Sequence, residues 1–185
     1  HGQLGLGHTL KEEECVKHDF FVNDKAANII SQGISNSHCF IYTLNNELYG
    51  FGYNNNLQLG VETEAKSITK PILLKSNFKS KLIQIRCGDN HSLFLTKNGQ
   101  VYGCGSNHCQ QLSFSSSISC EIKLIDNLKN ITLIDCCTNT SFCVSENSGI
   151  LYAFGENDRG QLGTDHCASG IKKMLTNVKI KRLAC

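Results

Sequence analysis

With 185 residues, 40% of them hydrophobic and 18% charged, the chain is long enough to bury a real core. A formal net charge of +2 gives little support to nucleic-acid binding, and the lysines are dispersed apart from short clusters such as Lys172-Lys173 and Lys179-Lys181-Arg182, as on a solvated face. No apolar run approaches the roughly 20 residues needed to cross a bilayer, and the opening His1-Gly2-Gln3-Leu4-Gly5 does not read as a signal peptide, so no membrane insertion is expected.

The first element, Gly2-Gln3-Leu4-Gly5, is a truncated copy of a motif that returns along the chain. A variable segment, 10–28, precedes Ile30-Ser31-Gln32-Gly33-Ile34-Ser35-Asn36-Ser37-His38. Then come the doublet Asn45-Asn46, at a turn slot, and Gly52-Tyr53-Asn54 with Gln58-Leu59. A second variable segment, 61–70, leads to the apolar Pro71-Ile72-Leu73-Leu74 and Leu82-Ile83-Gln84-Ile85.

The next unit opens on Ile85-Arg86-Cys87-Gly88-Asp89-Asn90-His91-Ser92. Two short apolar strands, 92–96 and 100–105, flank Asn98-Gly99, a hairpin signal whose type I′ form needs φ > 0 at both central residues. The motif follows as Gly105-Ser106-Asn107 with Gln111-Leu112, then a variable 113–121 and the apolar Ile122-Lys123-Leu124-Ile125. In the third unit Ile131-Thr132-Leu133-Ile134 runs into Asp135-Cys136-Cys137-Thr138-Asn139-Thr140-Ser141. Its turn, Glu146-Asn147-Ser148-Gly149, is one residue longer, which predicts a bulged or three-residue form. Gly155-Glu156-Asn157 with Gln161-Leu162, a variable 164–170 and Ile171-Lys172-Lys173-Met174-Leu175 complete it, and Leu183-Ala184-Cys185 opens another.

The spacing turns these elements into an architecture. Gln3, Gln58, Gln111 and Gln161 stand 55, 53 and 50 residues apart, and Cys87, Cys136 and Cys185 stand 49 apart each time. Four short strands in about 50 residues is the content of one propeller blade, whereas a helical solenoid would need longer runs at 3.6 spacing. The expected fold class is all-β, a propeller of four-stranded antiparallel blades. The units are a partial 1–28, about 29–80, 81–130 and 131–180, and the start of a further one at 181–185.

The run from Cys87 through Asn98-Gly99 to Asn107 and Gln111-Leu112 closely resembles the regulator of chromosome condensation repeat, as does the run from Leu151 to Gly163. The resemblance implies a seven-bladed ring, of which about three and a half repeats are present. An open half-ring would expose two apolar blade faces, so the chain reads as a piece of a longer one, with closure by a second half as the other route. The absence of Trp and of a Gly-Gly doublet separates it from the WD and kelch propellers. Departures concentrate late: Gln110-Gln111-Leu112-Ser113 lacks both flanking glycines, Thr140 stands in the His slot and Cys137 in the slot of Gly88.

Residues present in every unit are expected to build the fold. Leu4, Leu59, Leu112 and Leu162 should fill the gaps between blades, and His38 and His91 should make a recurring structural hydrogen bond. Eleven cysteines, odd in number and without a Cys-x-x-Cys pair, suggest reduced thiols in an intracellular protein, cytoplasmic or nuclear. Cys104, His108 and Cys109 are the one metal-like cluster, but Cys104 holds the core slot of Phe51 and Phe154 and should point inward, so neither metal nor cofactor is expected. Asp89 and Asp135 read as isolated loop acids. No phosphate-binding loop, nucleophile elbow or His-Glu-x-x-His is present, so no catalytic residue is assigned and the chain is not expected to be an enzyme.

Function is then expected in what differs between units, namely the segments 10–28, 61–70, 113–121 and 164–170, with Glu62 and Glu64 as candidate partner-binding residues. The leading expectation is a scaffold for another protein. The resemblance also implies an alternative, guanine-nucleotide exchange on a Ran-like small GTPase, with chromatin contact on the opposite propeller face; no insertion that could serve as a wedge is recognisable. Other members of the family are modules of ubiquitin ligases and ciliary proteins.

Overall fold

Alternating apolar residues broken by short polar turns give strands of four to seven residues, and within each sheet a strand pairs with the next one along the chain. The computed structural model describes residues 1–18, 20, 27–32, 37–146, 149–164, 170–176 and 179–184. Among them are twelve strands and no α-helix, so no helix is long and apolar enough to cross a membrane. The first sheet is β1 (Ala27–Gln32), β2 (His38–Thr43), β3 (Leu48–Tyr53) and β4 (Ser67–Leu73). The second is β5 (Leu82–Cys87), β6 (His91–Thr96), β7 (Val101–Ser106) and β8 (Ile118–Leu124). The third is β9 (Ile131–Cys136), β10 (Thr140–Ser145), β11 (Ile150–Gly155) and β12 (Lys172–Leu175). Each is an antiparallel meander in chain order.

The first strands lie innermost: β1 packs beside β5, and β5 beside β9. The middle strands β2, β3, β6 and β7 are buried almost throughout, whereas the last strands β4 and β8 are mostly half-buried or exposed. Two apolar seams result. Phe40, Tyr42, Leu48 and Leu59 meet Leu82, Ile85, Phe94 and Cys104 between the first and second sheets. Leu93, Leu95, Val101 and Leu112 meet Ile131, Ile134, Cys143 and Phe154 between the second and third. The other face of the first sheet, Cys39, Ile41, Tyr49 and Phe51, is covered in part by Phe20. Ile30 on that face is 61% exposed, whereas Ile85 in the same strand position is fully buried against the sheet before it. This is the blade arrangement of a β-propeller, here an incomplete portion of the ring.

Three expectations need correction. The β6–β7 turn is not type I′: only Gly99 has positive φ, and Gly99 N donates to Thr96 O at 2.9 Å. The turn is a three-residue one closed by a left-handed Gly99, and Asn46, at φ 64°, takes the same place in the first sheet. The residues Asn147-Ser148 of the third turn lie outside the described residues, as do Gly33 to Asn36 and Cys185. Leu4 is 46% exposed and fills no gap between blades, whereas Leu59, Leu112 and Leu162 are buried. Finally, Asp135 is no loop acid: it lies on β9, where it meets Arg86 Nε of β5 at 3.3 Å.

Candidate functional site

The repeated motif is a self-contained hydrogen-bonded loop. Its glycine must be glycine: Gly52, Gly105 and Gly155 have φ near +100° to +116°, and a Cβ there would meet the carbonyl of Ser37, Asn90 or Asn139 at 2.3–2.5 Å. Two residues on, the asparagine staples the loop. Asn54, Asn107 and Asn157 each accept through Oδ1 from the backbone N–H of Leu59, Leu112 and Leu162, at 2.8–3.0 Å. Their Nδ2 groups donate to the carbonyls of Val61, Phe114 and Thr164. The glutamines turn back on the same loop, Gln58, Gln111 and Gln161 each accepting from the N–H two residues earlier at 2.9–3.0 Å.

The histidines tie one blade to the next. Ser92 Oγ donates to the Gln58 carbonyl at 2.8 Å, so its lone pair accepts from His38 Nε2 at 2.9 Å. Ser141 Oγ, Gln111 O and His91 repeat the relay at 2.6 and 3.0 Å across the second seam. Burial, then the nearby His91 imidazole, drives the pKa of His38 down to about 3, and burial drives that of His91 down to about 4, so both rings are neutral crosslinks. Thr140 occupies the third histidine slot. Nearer the inner strands, Gln84 clamps Ile134, donating to its carbonyl and accepting from its N–H, both at 3.0 Å.

The cysteines belong to the packing. Cys104 turns inward as expected, fully buried, with Sγ donating to the Gln58 carbonyl at 3.3 Å. Burial pushes Cys39 and Cys87 up to about 12 and Cys104 well above its ordinary value, which suppresses the reactive thiolate.

What the motif does not consume is its surface. Of the variable segment 61–70 only 61–66 is loop, because β4 begins at Ser67. Likewise 118–121 belongs to β8 and 27–28 to β1, and much of 164–170 lies outside the described residues. Glu62 and Glu64 are both exposed, and among the described residues neither is in an ion pair. They part company in one respect. Glu62 lines a cleft of about 540 Å³ at the rim of the first seam, together with Val61, Leu73, Lys75, Glu121 and Ile122; Glu64 does not. Glu121 and Ile122 come from the next blade, so sequence reading had no spacing by which to group them with Glu62.

Repeated loop staples, blade-to-blade relays and radial four-stranded sheets define a propeller segment in which recurring residues hold blades together. Family models for the regulator of chromosome condensation (RCC1) repeat match residues 45–95 and 82–111. The chain carries regulator of chromosome condensation repeats. It is 32% identical over 181 residues to the human probable E3 ubiquitin-protein ligase HERC3, covering 93% of this chain and 17% of that one. It is 30% identical over 157 residues to the dog X-linked retinitis pigmentosa GTPase regulator, covering 83% of this chain and 15% of the relative. The chain therefore spans under a fifth of the length of these relatives. In fold it is similar to yeast RCC1 (Prp20), solved bound to Kap60, with a TM-score of 0.70 at 22% identity over 84% of this chain and 37% of that one.

Proposed function

We propose that the chain is a non-catalytic, protein-binding portion of an intracellular propeller scaffold, contacting its partner through the loop at 61–66 with Glu62 and Glu64. One observation carries the reading: the asparagines that recur in every unit are spent on their own loops, while the two carboxylates that do not recur face solvent without an ion pair among the described residues. Loops held on a rigid frame by their own hydrogen bonds are suited to set partner choice. Partners captured by the native protein and identified by mass spectrometry should bind a Glu62→Ala/Glu64→Ala variant at least tenfold more weakly. Unfolding free energy should change by no more than about 0.5 kcal/mol. Unchanged capture places the site elsewhere.

The name of one relative, a GTPase regulator, supports a second reading, exchange on a small GTPase. Exchange needs no bond-making by the factor, so the lack of catalytic groups is compatible with it. It requires substoichiometric full-length protein to accelerate nucleotide release. Binding of a GTPase without acceleration leaves the scaffold and removes exchange.

A further inference from the structure

We propose that the cleft at the rim of the first seam is a docking groove for an extended peptide bearing an apolar side chain flanked by lysine or arginine. The proposal rests on the reading that loop 61–66 faces the partner, and it gives that partner a chemistry. The groove arises from one difference between units. Val61, Phe114 and Thr164 are equivalent, since each carbonyl accepts from the motif asparagine seven residues before it. In the second loop the Phe114 ring packs onto the core of its seam. In the first, Val61 packs onto its seam as well, but beside its smaller side chain a cleft of about 540 Å³ stays open, a volume within the roughly 300–1,000 Å³ of ligand pockets.

Val61, Leu73, Leu74 and Ile122 give the cleft its apolar surface, and Ser76 and Asn77 add polar groups to the lining. A Cβ on Gly60 would stand 2.7 Å from Ile122 Cγ1, so the loop backbone lies directly on the next blade's outer strand. Leu73 beside it is 60% exposed and adds apolar surface to the wall. The rim is chiefly acidic: Glu62 on one side and Glu121 on the other are both exposed, with Lys75 the lone cation among the lining residues. Glu121 touches Lys123 only at 4.0 Å with both side chains at least half exposed, an ion pair worth little. A partly apolar slot between two available carboxylates complements an apolar residue with cationic neighbours. Addition of the peptide as a further strand is disfavoured, because β4 carries Pro71 and both β4 and β8 are bulged at their middles. Side-chain insertion is the mode that remains.

The test is fluorescence polarisation of the native protein with labelled peptides Lys-Ser-Leu-Ser-Lys, Lys-Ser-Ser-Ser-Lys and Glu-Ser-Leu-Ser-Glu. The first should bind, and the second and third at least tenfold more weakly. Val61→Phe, which copies the second loop and so suits the fold, should weaken the first peptide at least tenfold without lowering the melting temperature. Should that variant fail to fold, Glu62→Lys/Glu121→Lys on the rim must give the same loss. Equal binding of the acidic peptide, or binding indifferent to filling or reversing the groove, overturns the proposal. So does self-association of the protein that Val61→Phe abolishes, since the occupant is then a second copy. Partner capture lost in Glu62→Ala/Glu64→Ala but intact in Val61→Phe sinks the groove and keeps the loop reading. Peptide binding lost in Val61→Phe, with partner capture indifferent to Glu62→Ala/Glu64→Ala, does the reverse.

Discussion

Gly88 and His91 show one residue deciding another. A Cβ on Gly88 would stand 2.3 Å from His91 Cε1, 2.5 Å from Nδ1 and 2.7 Å from the Cys137 carbonyl, so the imidazole lies against the glycine. The third blade makes the same turn, with Cys137 N donating to Thr140 O at 3.0 Å where Gly88 N donates to His91 O at 2.9 Å. There the glycine has become cysteine and the histidine threonine. A side chain in the first slot is tolerated once the ring in the second is gone, so the two positions are sterically coupled. Gly88→Ala alone should therefore destabilise the protein by about 1–3 kcal/mol through overpacking. His91→Thr should relieve part of that cost, giving a favourable coupling of at least about 0.5 kcal/mol in a double-mutant cycle from denaturant unfolding. Strictly additive losses would show that the ring does not press on the glycine.

Between strands, the motif leucines wedge each loop into its seam. Leu59 is fully buried, and a Cβ on Gly50 would approach its Cδ2 to 3.2 Å. Leu59→Ala should cost about 2–5 kcal/mol, as other buried leucine truncations do. Leu4→Ala, at the exposed copy of the same motif, should stay within about 0.5 kcal/mol. Thermal or urea unfolding of the two variants checks both, and equal losses would mean that Leu4 is buried in solution. The contrast also marks what could be read in advance. The strand content, the blade period, the inward Cys104 and the burial of Leu59 and Leu162 were legible because each recurs at a fixed offset. The pairing of Asp135 with Arg86, and the company that Glu62 keeps with Glu121 and Ile122, were not. Those residues sit in neighbouring blades, and linear spacing within a unit carries no record of what radial packing brings beside it. The turn at Asn98-Gly99 was misread for a smaller reason: the dipeptide fits both hairpin forms, and the hydrogen bond from Gly99 N to Thr96 O selects the three-residue one.

Across the whole molecule, cohesion depends on seams, and the two seams described here share a polar crosslink buried in apolar surroundings. His38 joins Ser92 and the Gln58 carbonyl at the first, and His91 joins Ser141 and the Gln111 carbonyl at the second. In the unfolded chain a histidine titrates near 6.5, whereas in the seams the values fall to about 3 and about 4. Between those limits the unfolded chain binds protons that the folded chain refuses. The contribution to stability is thus complete above about pH 6.5 and is lost as pH falls toward 4 and then 3, with each histidine removing about 1.4 kcal/mol per pH unit within its window. Protonation has no acceptor waiting at His91, whose buried Nδ1 lacks a partner. Carboxylates join the titration at the acid end, so the histidine share is best isolated by comparison between about pH 6 and pH 5. A His38→Thr/His91→Thr variant, which copies Thr140 of the third blade, should be less stable at neutral pH and should lose stability more slowly across that interval. Denaturant unfolding at each pH measures both slopes. Parallel slopes would mean that the imidazoles are hydrated in the folded protein, and the seams would then owe their cohesion to apolar packing and, at the second seam, to the Gln84 and Arg86 contacts.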